Sequence, residues 1–517
     1  MKRRDFVRNS LAGVLLPALI NGLPFRAFGR AAGEDDEHIL VIIQLNGGND
    51  GLNTVIPVDQ YSRYVTARGN MAIPENRLLK IQGDDTVGLH PAMTGLQTLF
   101  NEGKVALVQS VGYPNPNFSH FRATDIWNTA SDAKEIIHSG WMGRYLAGQH
   151  PGYPNDYPND RFPDPLAIQI GSVVSNALQC PLQSMGIAIT NPSGFYNLVS
   201  GSGGPVPDTR AGKELDFLRK LADSTNLYAG SIQSAASRVS KQADYPAGNA
   251  LADQLKIVAR LVAGGLKTRV YMVSLGGFDT HSNQVTTDVT TGTHATLLGK
   301  VSDAIRAFMD DLKLLGVSKK VLGFTYSEFG RRVKSNASLG TDHGTAAPMF
   351  VFGDMVSPQV LGKTPELPSS PTNTDNLPMQ YDFRSVYASV LQRWFCMEAS
   401  YLEQVMLKDF QQLTLIQGQA CSNTVTANEP VQNTLLSVYP NPCEHYFTVS
   451  FSIAAASAPV LMQVFDHQGR LVDVPIQNHF ASGTHTTTVN AGGYFPGVYY
   501  VRLQVNEQQE VKRLVKR

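Results

Sequence analysis

Two stretches of this chain share one design, and that design limits what the chain can fold into. Ile39-Leu40-Val41-Ile42-Ile43-Gln44-Leu45 is an apolar run of strand length that empties into Asn46-Gly47-Gly48-Asn49-Asp50-Gly51-Leu52-Asn53. Val270-Tyr271-Met272-Val273-Ser274-Leu275 empties into Gly276-Gly277-Phe278-Asp279-Thr280-His281. A run that is apolar throughout suits a strand covered on both faces, as in a parallel sheet between helices. Paired glycines then permit a sharp turn, and carboxylates, amides and an imidazole follow. In such sheets the loops at the carboxyl ends of the strands form the site. The reading is an α/β fold in which Asp279 and His281 supply part of a metal centre and other loops bring the rest.

The rest of the chain to about residue 410 continues that pattern. A helix is expected over Ala92 to Asn101, with Met93, Leu96, Leu99 and Phe100 on one face, and a strand over Val105-Ala106-Leu107-Val108-Gln109. Strand, helix, strand implies a parallel sheet. A Pro/Asn-rich loop then leads to Ser119, after which Phe121, Ile126 and Trp127 recur at helical spacing. Residues 150 to 210 are rich in Pro, Gly, Asn and Ser and read as an insertion over the site, with one short strand near Leu166 to Ile170. Helical spacing returns over Leu215 to Gln233, Ala250 to Gly265 and Leu297 to Leu312. The strand Val321 to Tyr326 opens into Ser327-Glu328-Phe329-Gly330-Arg331-Arg332. Gly340-Thr341-Asp342-His343-Gly344 precedes a strand over Pro348 to Gly353, and a helix near Asp382 to Phe395 closes the domain.

The two ends differ from this body. Lys2, Arg3, Arg4 and Phe6, followed by an apolar run from Leu11 to Ile20, read as an export signal over residues 1–32, either twin-arginine or ordinary secretory. No other stretch is long and apolar enough for a membrane helix. Residues 411–434 read as a linker. From 435 to 517, short strands such as Tyr446 to Phe451, Val460 to Phe465, His485 to Val489 and Val498 to Leu503, separated by turns, read as a small β-sandwich. Lys+Arg and Asp+Glu both number 43, which gives no basic face for nucleic acid. None of the four cysteines has Cys-x-x-Cys spacing. A Cys421–Cys443 disulfide is open to an exported chain, and Cys180 and Cys396 read as buried thiols.

The candidate chemical groups, Asp50, Ser119, Asp279, His281, Glu328, Asp342 and His343, all fall at strand ends or in the loops between strands. Mixed imidazole and carboxylate donors suit zinc, manganese or iron better than calcium. Each has a plainer reading. Ser119 can cap its helix or act as a nucleophile at the helix dipole's positive end, and Glu328 can pair with Arg331 or Arg332. Taken together, Gln44 to Asn53, Asn117-Phe118-Ser119-His120-Phe121, Gly276 to His281, Ser327 to Arg331 and Asp342-His343-Gly344 resemble the bacterial secreted family called domain of unknown function 1501, over about residues 38–410. That family is similar to the alkaline phosphatase and sulfatase superfamily. The resemblance implies an alkaline-phosphatase-like central sheet with helices on both faces around one or two divalent ions, zinc or manganese foremost.

By position, the resemblance implies Asp50 (or Asn46), Asp279, His281, Glu328 and His343 as metal ligands and Ser119 as nucleophile. His120 or Arg122 would steady the anion. The chain departs from the phosphatases in the close spacing of Asp279 and His281, in Phe329 where a histidine is expected, and in lacking Cys-x-Pro-x-Arg. In the tail, Leu436 to Pro442, Val464 to Gly469 and Gly497 to Val501, with Lys512 and Arg513, resemble the C-terminal sorting domain of type IX secretion cargo. The implied protein is a secreted or surface hydrolase, reached via the periplasm, acting on a small anionic ester or a sulfated or phosphorylated glycan. The alternative is a surface binding or adhesion protein on a degenerate hydrolase fold.

Overall fold

The computed structural model describes residues 38–191 apart from 151, 155–156 and 181–182, then 209, 212 and 227–417. It also describes 434–517 apart from 440, 467–468 and 506–507, and the short antiparallel pair Ala18–Ile20 and Leu23–Phe25. Arg3, Arg4 and Phe6 of the expected export signal, and most of the expected linker, lie outside the described residues. The chain divides into two compact units, Met1–Cys421 and Ser422–Arg517.

The first unit is built on a nine-stranded sheet. Its strands are β1 (Ile39–Leu45), β2 (Val105–Gly112), β3 (Ala167–Ile170), β4 (Ile187–Ile189), β5 (Val270–Leu275), β6 (Val321–Tyr326), β7 (Ala347–Gly353), β8 (Gln359–Leu361) and β9 (Tyr381–Asp382). The order is β4-β3-β5-β1-β6-β7-β2-β8, with β9 also on β2. The apolar runs at 39–45, 270–275 and 321–326 become the three central strands because only a two-sided core can take them. The two strands of the strand, helix, strand unit, β1 and β2, lie in this one sheet and run parallel, with β6 and β7 between them. Strand β7 runs antiparallel to both β6 and β2, while the other pairings are parallel, so the sheet is mixed.

Alternation along the strands sends successive side chains to opposite faces, and each face carries its own core. Leu40, Ile42, Met272 and Phe324 pack with helices α1 (His120–Thr129), α2 (Trp141–Gln149) and α3 (Phe383–Arg393). Val41, Ile43, Tyr271 and Val273 pack with residues of the helices Thr94–Asn101, Ala250–Ala263 and Thr293–Leu314 on the other side. Helices therefore cover both faces, as expected for α/β. No described helix is long and apolar enough to cross a membrane.

Register places the loops. Leu275 stands opposite Leu45, and Tyr326 opposite Gln44, so β5, β1 and β6 end nearly level. Because β7 is reversed, the segment that precedes it, Asp342-His343-Gly344, arrives at this same carboxyl edge. An all-parallel arrangement would have put it at the opposite edge.

Asp50 has a structural place in this edge. It is fully buried, and its two oxygens accept from Arg68 at 2.5 and 2.8 Å, while Gln284 donates to it at 2.6 Å. Arg68 is equally buried and also donates to the carbonyls of Arg332 and Val333. Both carboxylate oxygens are thus committed, and Asp50 is not the open metal ligand the loop motif implied.

The tail is a five-stranded antiparallel sheet: β10 (Thr434–Tyr439), β11 (Tyr446–Asp466), β12 (Leu471–Asn490), β13 (Gly497–Val505) and β14 (Gln508–Lys516). The expected short strands at 446–451 and 460–465 are one long strand with register shifts at Ile453/Ser457 and near Met462 to Phe465. Its two halves take different partners on one side, β10 and then β13, while β12 runs along the other. Phe447, Val449, Phe451, Met462, Val464, Val501 and Leu503 form the tail's own core. Cys180 and Cys443 are free thiols, but Cys396, expected as a thiol, is disulfide-bonded. That bond fits an oxidising compartment.

Burial raises the Asp50 carboxyl's pKa, but Arg68 and then His294 and Gln284 outweigh it and bring it to about 2. A lowered carboxylate stabilises the fold above its unfolded value near 4, and the contribution fades as pH falls toward the folded value. Asp50→Asn, which leaves Arg68 buried without its partner, is expected to cost about 3–5 kcal/mol at pH 7. Urea unfolding should show that deficit shrinking below pH 4; a deficit unchanged down to pH 2 contradicts the ion-pair account.

Candidate metal centre

Four loops at the carboxyl edge are tied together by one buried side chain, Arg331. Its Nε donates to the carbonyl of Gly48 at 2.6 Å and its Nη1 to that of Thr341 at 2.7 Å. Its Nη2 reaches the carbonyls of Gly47 and Phe278 and the Asp279 carboxylate at 2.7 Å. The loops after β1, β5 and β6 and the segment before β7 are thereby locked to one guanidinium. The approach demands glycine at Gly47, whose φ is +124° and where a Cβ would lie 2.2 Å from the Asp279 amide nitrogen. At Gly344 a Cβ would lie 2.2 Å from the Arg331 carbonyl carbon.

Above this floor stand three histidines and one aspartate. His120, Asp279 and His343 offer ligand atoms that all lie within 4.8 Å of one another. His343 Nε2 is 3.1 Å from Asp279 Oδ1, and His281 Nε2 lies 3.1 Å from the same oxygen. The two Nε2 atoms of His281 and His343 are 2.9 Å apart, and His120 Nε2 is 3.4 Å from Asp279 Oδ2. Asp279 and His281 are open to solvent, and His120 and His343 are half-buried.

The other nitrogen of each ring is committed. His120 Nδ1 faces Glu328 Oε1 at 2.9 Å, His343 Nδ1 faces the Phe118 carbonyl at 2.8 Å, and His281 Nδ1 faces Asp342 Oδ1 at 3.1 Å. An acceptor at Nδ1 assigns the proton there in each neutral ring. All three Nε2 lone pairs then point at a carboxylate and, in one case, at each other. Such an arrangement repels itself unless a positive charge sits within it, either a metal ion or a proton on one of the Nε2 atoms. Oriented rings with carboxylate or carbonyl partners behind them are the usual build of histidine metal ligands. A tetrahedral ion with arms of ~2.0–2.1 Å sets neighbouring donors roughly 3.3 Å apart, close to the separations found. The donor set fits a divalent ion held by His120, Asp279, His281 and His343, and nitrogen-rich ligation suits zinc.

The protonation states agree. Burial would raise the Asp279 carboxyl's pKa, but the Arg331 and His343 hydrogen bonds, with the Arg331 and His281 charges, bring it to about 2, so it is ionised. Burial, with the charges of Arg331 and His120, holds the His343 imidazole below its ordinary value against the bonds to Phe118 and Asp279, which favours the neutral ligand form.

Of the residues named from sequence, Asp279, His281 and His343 meet here. Glu328 stands one bond behind: it is buried, accepts from the Gly47 amide at 2.8 Å and holds His120, and it pairs with neither Arg331 nor Arg332. His120, expected to steady an anion, stands among the candidate donors. Arg122 does not reach the site; its guanidinium is spent on Asp125 and the carbonyls of Asp132, Ala133 and Glu135, where it secures the turn after α1. Ser119 holds the N-cap position of α1, but its hydroxyl makes no capping bond and the residue is exposed. Phe329 fills the place of the expected second histidine, its buried ring centred 4.4 Å from His343 and 4.9 Å from His120. Sequence reading missed Arg331 as the tie, although an arginine between two glycine-bearing loops was visible.

Residues 222–406 match the family model described as "Protein of unknown function (DUF1501)". Residues 437–517 match a secretion system C-terminal sorting domain. Both resemblances read from the motifs are thus borne out, and the sorting domain marks the chain for export to the exterior or the cell surface. Among solved structures, the chain resembles a protein in the alkaline phosphatase superfamily from Vibrio parahaemolyticus at 12% identity, over 70% of this chain and 71% of that one, with a TM-score of 0.30. It also resembles a structure from work on glycosaminoglycan metabolism by Bacteroides thetaiotaomicron, at 10% identity over 92% and 89% of the two chains, TM-score 0.33. PorZ, a surface component of the type-IX secretion system of Porphyromonas gingivalis, is 22% identical over 16% of this chain and only 11% of its own length, TM-score 0.12. No curated protein matches. At these TM-scores the site stands on its own geometry.

The geometry predicts one tightly held divalent ion per chain, measured by elemental analysis after dialysis. His343→Ala and Asp279→Asn should lose it. Glu328→Gln should keep it with affinity lowered roughly 10–100-fold, the scale of losing a partner that orients a ligand. Full retention in His343→Ala contradicts the assigned centre.

Proposed function

We propose that the first unit is a metal-dependent hydrolase of phosphate or sulfate esters and that the tail delivers it through type IX secretion. The observation that carries this reading is the convergence of three imidazole lone pairs and the Asp279 carboxylate at a solvent-open sheet edge. The uncapped hydroxyl of Ser119 lies in the residue adjoining His120. A divalent ion bound there supplies Lewis acidity toward the ester oxygen and lowers the pKa of a nearby hydroxyl or water.

The chain's own residues supply the rest. Arg331 keeps Asp279 ionised and in place, and Glu328, Phe118 and Asp342 fix the three rings so that no reorganisation is needed when charge develops. Ser119, exposed and free of cap duty, is the nucleophile of this reading. Its oxygen forms the new bond to phosphorus or sulfur as the ester oxygen leaves, and water later cleaves the covalent ester. Phe329, packed on two of the rings, occupies space a second histidine would need, so the reading takes one ion.

Aryl phosphate and aryl sulfate turnover should fall at least ~100-fold in Ser119→Ala and vanish in Asp279→Ala, with the Ser119 variant keeping its metal. Activity surviving both changes removes the site. A chain that binds the ion but turns over no ester of either class supports the adhesion alternative. Deleting residues 437–517 should leave the protein in the periplasm; continued surface delivery refutes the sorting role.

A further inference from the structure

Arg332 is a half-buried arginine without a carboxylate partner. Arg68, Arg331 and Arg384 each meet an aspartate, at 2.5, 2.7 and 2.6 Å. Among the described residues, the Arg332 side chain makes one hydrogen bond, Nη1 to the Thr374 carbonyl at 2.5 Å, and no ion pair. Its guanidinium carbon lies 5.1 Å from the centre of the Phe118 ring, within cation–π range. Phe118 immediately precedes Ser119, and its carbonyl orients His343. The Arg332 amide donates to the Asp342 carbonyl at 2.9 Å, and Arg331 pairs with His343 in an antiparallel bridge. One short stretch therefore carries the Arg331 tie below the imidazole cluster and the Arg332 charge on Phe118.

The state of this guanidinium is specific. Nη1 is spent on Thr374, and the Phe118 ring supports the guanidinium from one side. Nε and Nη2 share the opposite edge of the planar fork; they have no partner among the described residues and reach solvent. Two parallel N–H groups on one edge match two oxygens of a carboxylate or a tetrahedral oxyanion. The chain supplies no carboxylate to them. Arg122, expected to steady an anion, is committed to Asp125 and three carbonyls.

We infer that Arg332 binds the anion of the ester, its Nε and Nη2 donating to two non-bridging oxygens of the phosphate or sulfate group presented to Ser119. The inference rests on the hydrolase reading for the identity of the anion and assigns its recognition to a residue outside the loop motifs. The Phe118 stack then has a purpose, since a guanidinium already held in place loses less freedom on binding.

Inorganic phosphate tests the residue apart from the reaction. The metal-loaded full chain, titrated calorimetrically, is expected to bind it. Arg332→Gln keeps an amide donor for the Thr374 carbonyl but carries no charge. It should weaken phosphate binding roughly ten- to a hundredfold, the scale of charge-assisted hydrogen bonds, with metal content and melting temperature unchanged. Arg332→Lys should recover part of that loss, because it restores the charge without the fork. A purely structural clamp would leave phosphate affinity unmoved in both. An Arg332→Gln chain that binds phosphate as the wild type does, a wild type that binds none, or a loss that comes with loss of the ion overturns the inference even if aryl esters are hydrolysed. Phosphate binding that depends on Arg332 in a chain that hydrolyses no ester leaves the inference standing and removes the reaction.

Discussion

The carboxyl edge of this sheet depends on one buried cation, the guanidinium of Arg331. A fully buried arginine is costly unless its donors are satisfied. Here they are satisfied by carbonyls of Gly47, Gly48, Phe278 and Thr341 and by the Asp279 carboxylate. The same bonds hold separate loops at fixed spacing and set Asp279 in its orientation, so satisfying the charge and assembling the site are one event. A lysine in this position would have fewer donors and no planar fork with which to hold them.

Behind this tie is a second buried pair that carries the loops at one remove. Asp50 and Arg68 neutralise each other, and Gln284 joins Asp50 to the hydroxyls of Thr280 and Thr341. His294 packs nearby, its Nε2 donating to Asn49 Oδ1 at 3.0 Å, with burial first and the Arg68 and Arg331 charges after it bringing its pKa to about 4 despite Asp50. The loops are thus fixed from below by ion pairs and presented above as imidazoles with their Nε2 atoms turned outward. Rigid support under exposed ligands is what a metal site requires.

Much of this fold could be read from the chain. Runs that are apolar at every position, at 39–45, 270–275 and 321–326, admit hardly any place but the centre of a two-sided sheet. Direction was less legible. Nothing in Ala347–Gly353 says that it runs antiparallel, and that reversal is what brings His343 to the edge. Ligand candidates next to paired glycines were visible at Asp279 and His281, but identity alone does not distinguish an open carboxylate from a committed one. Asp50 is spent on Arg68, an arginine on a neighbouring helix whose approach only the tertiary structure shows. His120 faces the Asp279 carboxylate and Glu328 stands behind it for a related reason: which group faces inward depends on side-chain direction, while the loop motif reports only proximity. In the tail, pairing extended through the segment between two short apolar runs and made one long strand of them.

X-ray absorption fine structure of the purified, metal-loaded protein reads the centre most directly. The account predicts a first coordination sphere of about three imidazole nitrogens with oxygen, at roughly 2.0–2.1 Å for zinc, and no sulfur. A sphere of oxygen alone, or one containing thiolate, would contradict it.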